Sequence, residues 1–134
     1  MIIKDEIKNI ILLLDSINSR IDDTEVYINK MLKFATILPY IEEGKLQGFI
    51  SYYSNDPSRE NAYLTLIAIH PDFQGKGLGK KLLSCSLVDL QQKKFKNYSL
   101  EVLKNNTAAI SLYENFGFKI KEDRDHVWLM NLEL

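Results

Sequence analysis

The sequence HPDFQGKGLGKKLL, residues 70–83, places glycines at positions 75, 77 and 79 between a strand-like apolar run and the leucine pattern of a helix. Pro71 cannot donate to a sheet ladder and biases His70 toward an extended conformation, so it marks the end of the strand. Because glycine has no Cβ, backbone N–H groups at the start of the helix can come within hydrogen-bond distance of a ligand oxygen. The segment is therefore predicted to bind an anion.

Positive charge around these glycines supports an anion site. The positive end of the helix dipole lies there, and Lys76, Lys80 and Lys81 add full charges. A flexible loop is the alternative interpretation. Each glycine inside a helical turn lowers the stability of the helix by up to about 1 kcal/mol relative to alanine. A flexible loop would not need two glycines beyond the turn. The anion-binding interpretation is the favoured one.

Two common phosphate-binding motifs do not fit the glycine spacing. A mononucleotide P-loop needs Ser or Thr after Gly-Lys, but Lys81 follows Gly79 and Lys80, and Gln74 occupies the place of the first glycine. A dinucleotide-binding fold needs G-x-G-x-x-G, and here the last interval is one residue too short. The anion must belong to another class of ligand.

The composition predicts one compact domain over residues 1–134, with 46% hydrophobic and 26% charged residues. A net charge of −1 gives no general attraction to nucleic acid or an anionic membrane, so neither partner is expected. The run IILLL is far shorter than a membrane span of about 20 residues, and no signal peptide is evident. The single Cys85 cannot form an internal disulfide. We expect a cytoplasmic protein.

Strand and helix patterns alternate along the chain. A first helix is predicted from an apolar stripe at helical spacing, formed by Ile7, Ile10, Ile11, Leu14 and Ile17. A second helix is predicted after DDTE, with Asp22 or Asp23 as its N-cap. Its apolar surface consists of Val26, Ile28, Met31, Leu32 and Phe34. A hairpin turns at Gly44, and AYLTLIAI fits a central strand buried on both faces. The predicted order then continues with a helix to about Lys94, the strand YSLEVL, a helix near NTAAISLYENFG, and the strand pair FKIKE and HVWLMNLEL. This order predicts an α/β domain with a mixed sheet.

Two segments resemble motifs of the GCN5-related N-acetyltransferase (GNAT) family. The pattern Q-G-x-G-x-G after IAIHP is similar to its acyl-coenzyme-A signature, and NNTAAISLYENFGF is similar to its later motif, with an asparagine three residues before alanine, then tyrosine and Gly-Phe. Both lie in the expected order within residues 65–118. The resemblance implies the GNAT fold: a twisted central sheet, mixed but mostly antiparallel, flanked by helices. The family's usual first strand has no clear counterpart in this sequence.

The resemblance also implies acetyl-coenzyme A (acetyl-CoA) as co-substrate. The backbones of Ile67, Ala68 and Ile69 would pair with its pantetheine arm like an added strand. Its pyrophosphate would be held by residues 74–80, which are Gln74, Gly75, Lys76, Gly77, Leu78, Gly79 and Lys80. Asn106 matches the family's coenzyme-contacting asparagine and also suits a helix cap, and the two roles are compatible.

Tyr113 matches the family tyrosine that donates a proton to the leaving sulfur. A thiol of pKa about 8.5 and a phenol of pKa about 10 are close enough for that transfer. The alternative is a tyrosine that only packs in the core. No metal is expected, because Cys85, His70 and His126 lack metal-ligand spacing.

The general base is open between several groups. Some family members carry a glutamate on the strand of the first motif, but this chain has Thr65 there, so that position is not expected to supply the base. Members that acetylate protein amino termini carry one twelve residues before the tyrosine, which corresponds to Glu101. Alternation along the strand turns Glu101 away from Leu100 and Val102 and toward a cleft, although a carboxylate paired with solvent or lysine is an equal alternative. His70 or His126 could instead relay a proton, but a lone histidine is more often structural.

The expected function is acetyl transfer from acetyl-CoA to a primary amine by direct attack in a ternary complex. The acceptor would be a small molecule or a protein N-terminus: the position of Glu101 favours the second, and the unusual amino-terminal half favours the first. A non-catalytic acyl-CoA-binding sensor or partner module is the alternative function. The sequence leaves a homodimer open.

Overall fold

The computed structural model describes residues 3–14 and 23–134. Within these ranges, helices and strands follow the predicted order; Ile17 and Asp22, which belonged to two of the helix predictions, lie outside them. The elements are α1 Ile3–Leu13, α2 Thr24–Phe34, β1 Thr36–Glu42, β2 Lys45–Tyr53, β3 Asn61–Ile69, a short 3-10 helix Pro71–Phe73, α3 Leu78–Gln92, β4 Asn97–Leu103, α4 Thr107–Asn115, β5 Lys119–Arg124 and β6 Val127–Glu133.

The six strands form one sheet in the order β1-β2-β3-β4-β6-β5. The prediction of a mixed sheet is confirmed, whereas the strand order had not been predicted. All neighbours are antiparallel except β3 and β4, which are parallel and are joined by the crossover helix α3. The β3–β4 ladder ends at the pair Leu64 and Leu100, although both strands continue beyond it. A gap therefore opens in the middle of the sheet.

The predicted hairpin between β1 and β2 is confirmed. Its two turn residues, Glu43 and Gly44, have φ of 54° and 72°, the left-handed values that a two-residue type I′ turn requires. Pro39 lies within β1, and β1 is an edge strand, so its missing N–H leaves no neighbour unpaired.

Each face of the sheet carries its own apolar core. The α3–α4 core packs those two helices on one face, and the α1–α2 core packs the amino-terminal helices on the other. Ile7, Ile10 and Ile11 are at most 2% exposed, which confirms the predicted apolar face of α1. On α2, Ile28 and Met31 are buried as expected, but Val26 and Phe34 are exposed because the helix turns them to its outer side.

A bulge in β3 lets this strand contribute to both cores. Ser51 pairs with Leu66 and Tyr52 pairs with Leu64, so Thr65 is an extra residue with no partner on β2. Its hydroxyl donates to the Ser51 carbonyl at 3.0 Å. Because the bulge shifts the alternation, Leu64 packs in the α3–α4 core and Leu66 in the α1–α2 core. Buried and half-buried residues alternate along β3, so the strand contributes to both cores but is not completely buried on both faces as predicted.

The predicted cap of the second helix is also present. The Asp23 side chain accepts a hydrogen bond from the Val26 N–H at 3.2 Å. In the parts of the chain that the structure describes, no helix is both long and apolar enough to cross a membrane.

Candidate active site

A cavity of about 480 Å³ occupies the gap between β3 and β4. It begins where the parallel ladder ends and extends toward the glycine segment at the start of α3. Eight of the predicted site residues line it together: Ile67, Ile69, Gln74, Gly75, Gly79, Glu101, Asn106 and Tyr113. Among the described residues, the other predicted ligand-binding positions lie beside the cavity rather than on its wall: Ala68, Lys76, Gly77, Leu78 and Lys80.

The edge of β3 that faces the cavity carries unpaired backbone groups. The His70 N–H donates to the Gln47 carbonyl on β2 at 2.8 Å. Antiparallel alternation then directs the backbone of Ala68 to β2, and those of Ile67 and Ile69 to the opposite edge. The Ile69 carbonyl already accepts a hydrogen bond from the Gln74 side chain at 3.2 Å. This edge can pair with an extended ligand.

The glycine segment has the backbone geometry of an anion-binding loop. Gly75 and Gly77 have φ of 78° and 77°, where a side chain would be strained. Gly77 is the N-cap of α3, and no side chain caps the first N–H groups of the helix. Leu78 is 5% exposed and anchors the helix start in the core. The amides of the first turn therefore remain available to a ligand.

Gly79 lies at the narrow point between β3 and α4. A Cβ at this position would meet Ile67 Cγ2 and Leu112 Cδ2, each at 3.9 Å. Both of those residues line the cavity. A larger side chain at Gly79 would therefore occupy cavity space.

Asn106 caps α4, as predicted. Its Oδ1 accepts a hydrogen bond from the Ala109 N–H at 3.2 Å. The cap uses the oxygen only, so the amide Nδ2 can still donate toward the cavity that Asn106 lines.

Tyr113 is both a core residue and a cavity residue. Its side chain on α4 is 8% exposed, and its ring packs on Phe118 with centroids 5.7 Å apart at 61°. This contact fixes the ring while the residue still lines the cavity. Tyr113 therefore packs in the core and also reaches the cavity, and its role as proton donor stays a prediction.

Glu101 lines the cavity from β4, while Leu100 and Val102 are buried, as alternation predicts. Its Oε1 accepts from the Tyr63 hydroxyl at 3.3 Å, and its Oε2 lies 3.4 Å from Arg124 Nη1. The side chain is 34% exposed. A carboxylate with partners on two other strands is held in place but is still open to a ligand.

Comparison with known proteins connects this geometry with a family. The model of the acetyltransferase (GNAT) family matches residues 11–118. The chain belongs to the GNAT family. A crystal structure of PaiA N-acetyltransferase from Thermoplasma acidophilum in complex with coenzyme A superposes with a TM-score of 0.83 at 19% identity, covering 98% of this chain and 92% of that one. The predicted GNAT fold is confirmed.

Two relatives by sequence are N-acetyltransferases by name. Spermine/spermidine N(1)-acetyltransferase of Bacillus subtilis (strain 168) is 37% identical over an alignment of 89 residues that covers 62% of this chain and 59% of that protein. [Ribosomal protein bS18]-alanine N-acetyltransferase of Salmonella typhimurium is 44% identical over 59 residues, 44% of this chain and 40% of that protein. The chain thus matches about three fifths or less of the length of these relatives.

The position of the family's alternative glutamate lies on the GNAT cavity, whereas the two histidines lie elsewhere. Thr65 lines it, but the hydroxyl donates to a backbone carbonyl and the position offers no carboxylate. His70 Nδ1 accepts from the Asp72 N–H at 3.1 Å, and its ring packs on Phe73. The His126 side chain is 88% exposed on the β5–β6 turn. Neither His70 nor His126 is among the residues that line the cavity.

Sequence reasoning missed the two partners of Glu101 in this GNAT domain. Tyr63 lies 38 residues before Glu101 and Arg124 lies 23 residues after it. The contacts depend on the register of β3 against β4 and on the place of β5 in the sheet, and a single sequence contains neither. Arg124 lies in the charged run EDRD, where no local pattern distinguishes it from its charged neighbours.

Proposed function

We propose that this GNAT domain is an acetyl-CoA-dependent N-acetyltransferase. It transfers acetyl to a primary amine of a small molecule or of a protein N-terminus by direct attack in a ternary complex. One observation carries this proposal: a single cavity has an uncapped helix start with two left-handed glycines at one end and Glu101 and Tyr113 on its walls. The names of the related N-acetyltransferases support it.

The residues present fit acetyl-CoA as the donor. The first amides of α3, with the helix dipole and nearby lysines, suit a pyrophosphate. The free edge of β3 at Ile67 and Ile69 suits the pantetheine arm, which carries amide donors and acceptors. A cavity of about 480 Å³ is within the usual size of a small-molecule site.

In the proposed reaction, Tyr113, Glu101 and the backbone of β3 each have a role. The amine nitrogen bonds to the acetyl carbonyl carbon, the C–S bond breaks, and the sulfur takes the proton of the Tyr113 hydroxyl. Glu101 accepts the proton that the amine gives up, directly or through one water. A backbone N–H on the free edge of β3 donates to the acetyl oxygen as negative charge develops there.

The free energy needed to deprotonate the amine, and hence the need for Glu101 as a base, depends on the acceptor. Formation of the neutral amine at pH 7 costs about 4.6 kcal/mol for a lysine-like amine of pKa about 10.4. The same deprotonation costs about 1.4 kcal/mol for an α-amine of pKa about 8. A carboxylate is a weaker base than either amine. It suffices for the α-amine more readily than for the lysine-like amine.

The experiment is calorimetric titration with acetyl-CoA, followed by thiol release with a panel of amines. We expect binding, and release of coenzyme A that depends on the amine. No binding at millimolar acetyl-CoA would contradict the proposal. Binding without transfer to any amine would instead identify a sensor or partner module.

A further inference from the structure

The guanidinium of Arg124 bridges two carboxylates at the edge of the cavity. Nη1 lies 3.4 Å from Glu101 Oε2, and Nη2 lies 3.3 Å from Glu122 Oε2. Glu101 lines the cavity, whereas Arg124 and Glu122 do not. The hydrogen bond to Glu122 raises the pKa of Arg124 above its ordinary value, so the side chain stays charged. Arg124 therefore acts on the cavity through Glu101.

We infer that Arg124 is a specificity-determining residue that disfavours acceptors with a second cation near the reacting amine. Without it, Glu101 and Glu122 would be an adjacent pair of carboxylates, suited to the second ammonium of a polyamine. With it, a fixed cation of this chain already occupies that position. The inference rests on the proposed function, because it concerns the acceptor of the same site.

Neighbouring charges do not take over this role. Lys104 pairs with Asp123 and lies over the Trp128 ring, 4.2 Å from its centroid. Its charge is thus directed to a different carboxylate. The other oxygen of Glu101 accepts from the neutral Tyr63 hydroxyl. Of the described residues, Arg124 is the cation paired with Glu101.

The favoured acceptor class follows from the donors of a guanidinium. Arginine presents a planar fork of N–H groups and accepts no hydrogen bond. Its side chain is 42% exposed, and the guanidinium has N–H groups beyond the two that face the carboxylates. An amine with an adjacent carbonyl or carboxylate oxygen meets a donor, whereas one with an adjacent ammonium meets a like charge. The α-amine of a peptide belongs to the first class, and spermidine to the second.

The test compares Arg124→Gln and Arg124→Lys with the wild-type protein. The matched control is Lys121→Gln, which removes the same charge from the same exposed strand, outside the cluster. Acetylation is measured as kcat/KM for two acceptors. One is spermidine, and the other is a peptide with a free N-terminal alanine and uncharged side chains. Spermidine binding is measured separately by calorimetry, so a readout exists without turnover.

Arg124→Gln is expected to raise the spermidine-to-peptide ratio of kcat/KM about two- to fivefold and to tighten spermidine binding by a similar factor, the scale of a partly exposed ion pair. Arg124→Lys and Lys121→Gln should leave the spermidine-to-peptide ratio and the spermidine affinity close to those of the wild-type protein. An unchanged ratio and unchanged spermidine affinity in Arg124→Gln would overturn the inference, as would an equal effect of Lys121→Gln. Absence of acetyl transfer by the wild-type protein would contradict the proposed function instead, and the binding readout would still decide the role of Arg124.

Discussion

Leu64 on β3 and Leu100 on β4 form the last pair of the parallel ladder. Thr65, the next residue on β3, is the bulge residue, and Glu101, the next residue on β4, lines the cavity. Both leucines are buried in the α3–α4 core, which holds the two strands together up to this pair. The cavity thus begins at this tightly packed pair, and Leu64 itself forms part of its wall.

Replacement of Tyr113 by phenylalanine should lower kcat about 100-fold or more, because the leaving sulfur loses its proton donor. The affinity for acetyl-CoA should change little, since the ring and its contact with Phe118 remain. Steady-state rates and calorimetric titration measure the two quantities.

Tyr98→Phe is the matched control for Tyr113. Tyr98 also packs on Phe118 at 5.7 Å, but its hydroxyl donates to Ser86 Oγ in the core. This variant should lose about 1 kcal/mol of stability and keep its turnover. Equal turnover in Tyr113→Phe and wild type across the pH range would remove Tyr113 from the scheme.

Replacement of Glu101 by glutamine should lower kcat/KM for an α-amine acceptor about tenfold or more at pH 7, because the amine must then lose its proton without a base. The deficit should shrink as the pH rises toward about 8, where the free amine is abundant. Rate profiles over pH measure this. Glu114→Gln, an exposed change next to Tyr113 on α4, is the control, and a deficit independent of pH would argue against a base.

Gly77→Ala should weaken acetyl-CoA binding, because it adds a side chain where α3 begins and strains a φ of 77°. Gly44→Ala carries the same strain at a φ of 72° in the β1–β2 turn, away from the cavity. Both variants should lose about 1 kcal/mol or more of stability. Denaturant unfolding and calorimetry separate the effects: weaker binding in both variants, or in neither, would contradict a role for the glycine loop.

The contact between α1 and α2 should depend on acid pH through Glu25. Hydrogen bonds from Lys4 and Lys8 lower the pKa of Glu25 from 4.5 to about 2. The folded pKa lies below the unfolded one, so the stabilisation is complete above about pH 4.5 and is lost as the pH falls through about 2. Thermal unfolding between pH 2 and 7 should show a steeper acid loss for wild type than for Glu25→Gln. Parallel curves would rule out this contribution.

The sequence predicted the elements of the fold because each has a local signal. Apolar spacing, the cap at Asp23, the turn at Gly44 and the glycines before α3 all act within a few residues. Two motifs then sufficed for the family. Eight of the thirteen predicted site residues line one cavity, since the elements that carry them end close together.

Features that depend on strand register could not be predicted. Thr65 is a common strand residue, and only its mismatch with β2 makes it a bulge. Arg124 reaches Glu101 because β6 places β5 two strands away from β4, a sheet order that no local pattern contains. Val26 and Phe34 fitted an apolar surface, but the direction of α2 decided which of its residues are buried.

A crystal structure of the protein with coenzyme A would decide whether the cavity holds the donor. We expect the pyrophosphate on the amides of residues 74–80, and the pantetheine arm beside Ile67 and Ile69 in the gap beyond Leu64 and Leu100. A pyrophosphate bound elsewhere, or an arm outside the gap, would contradict it.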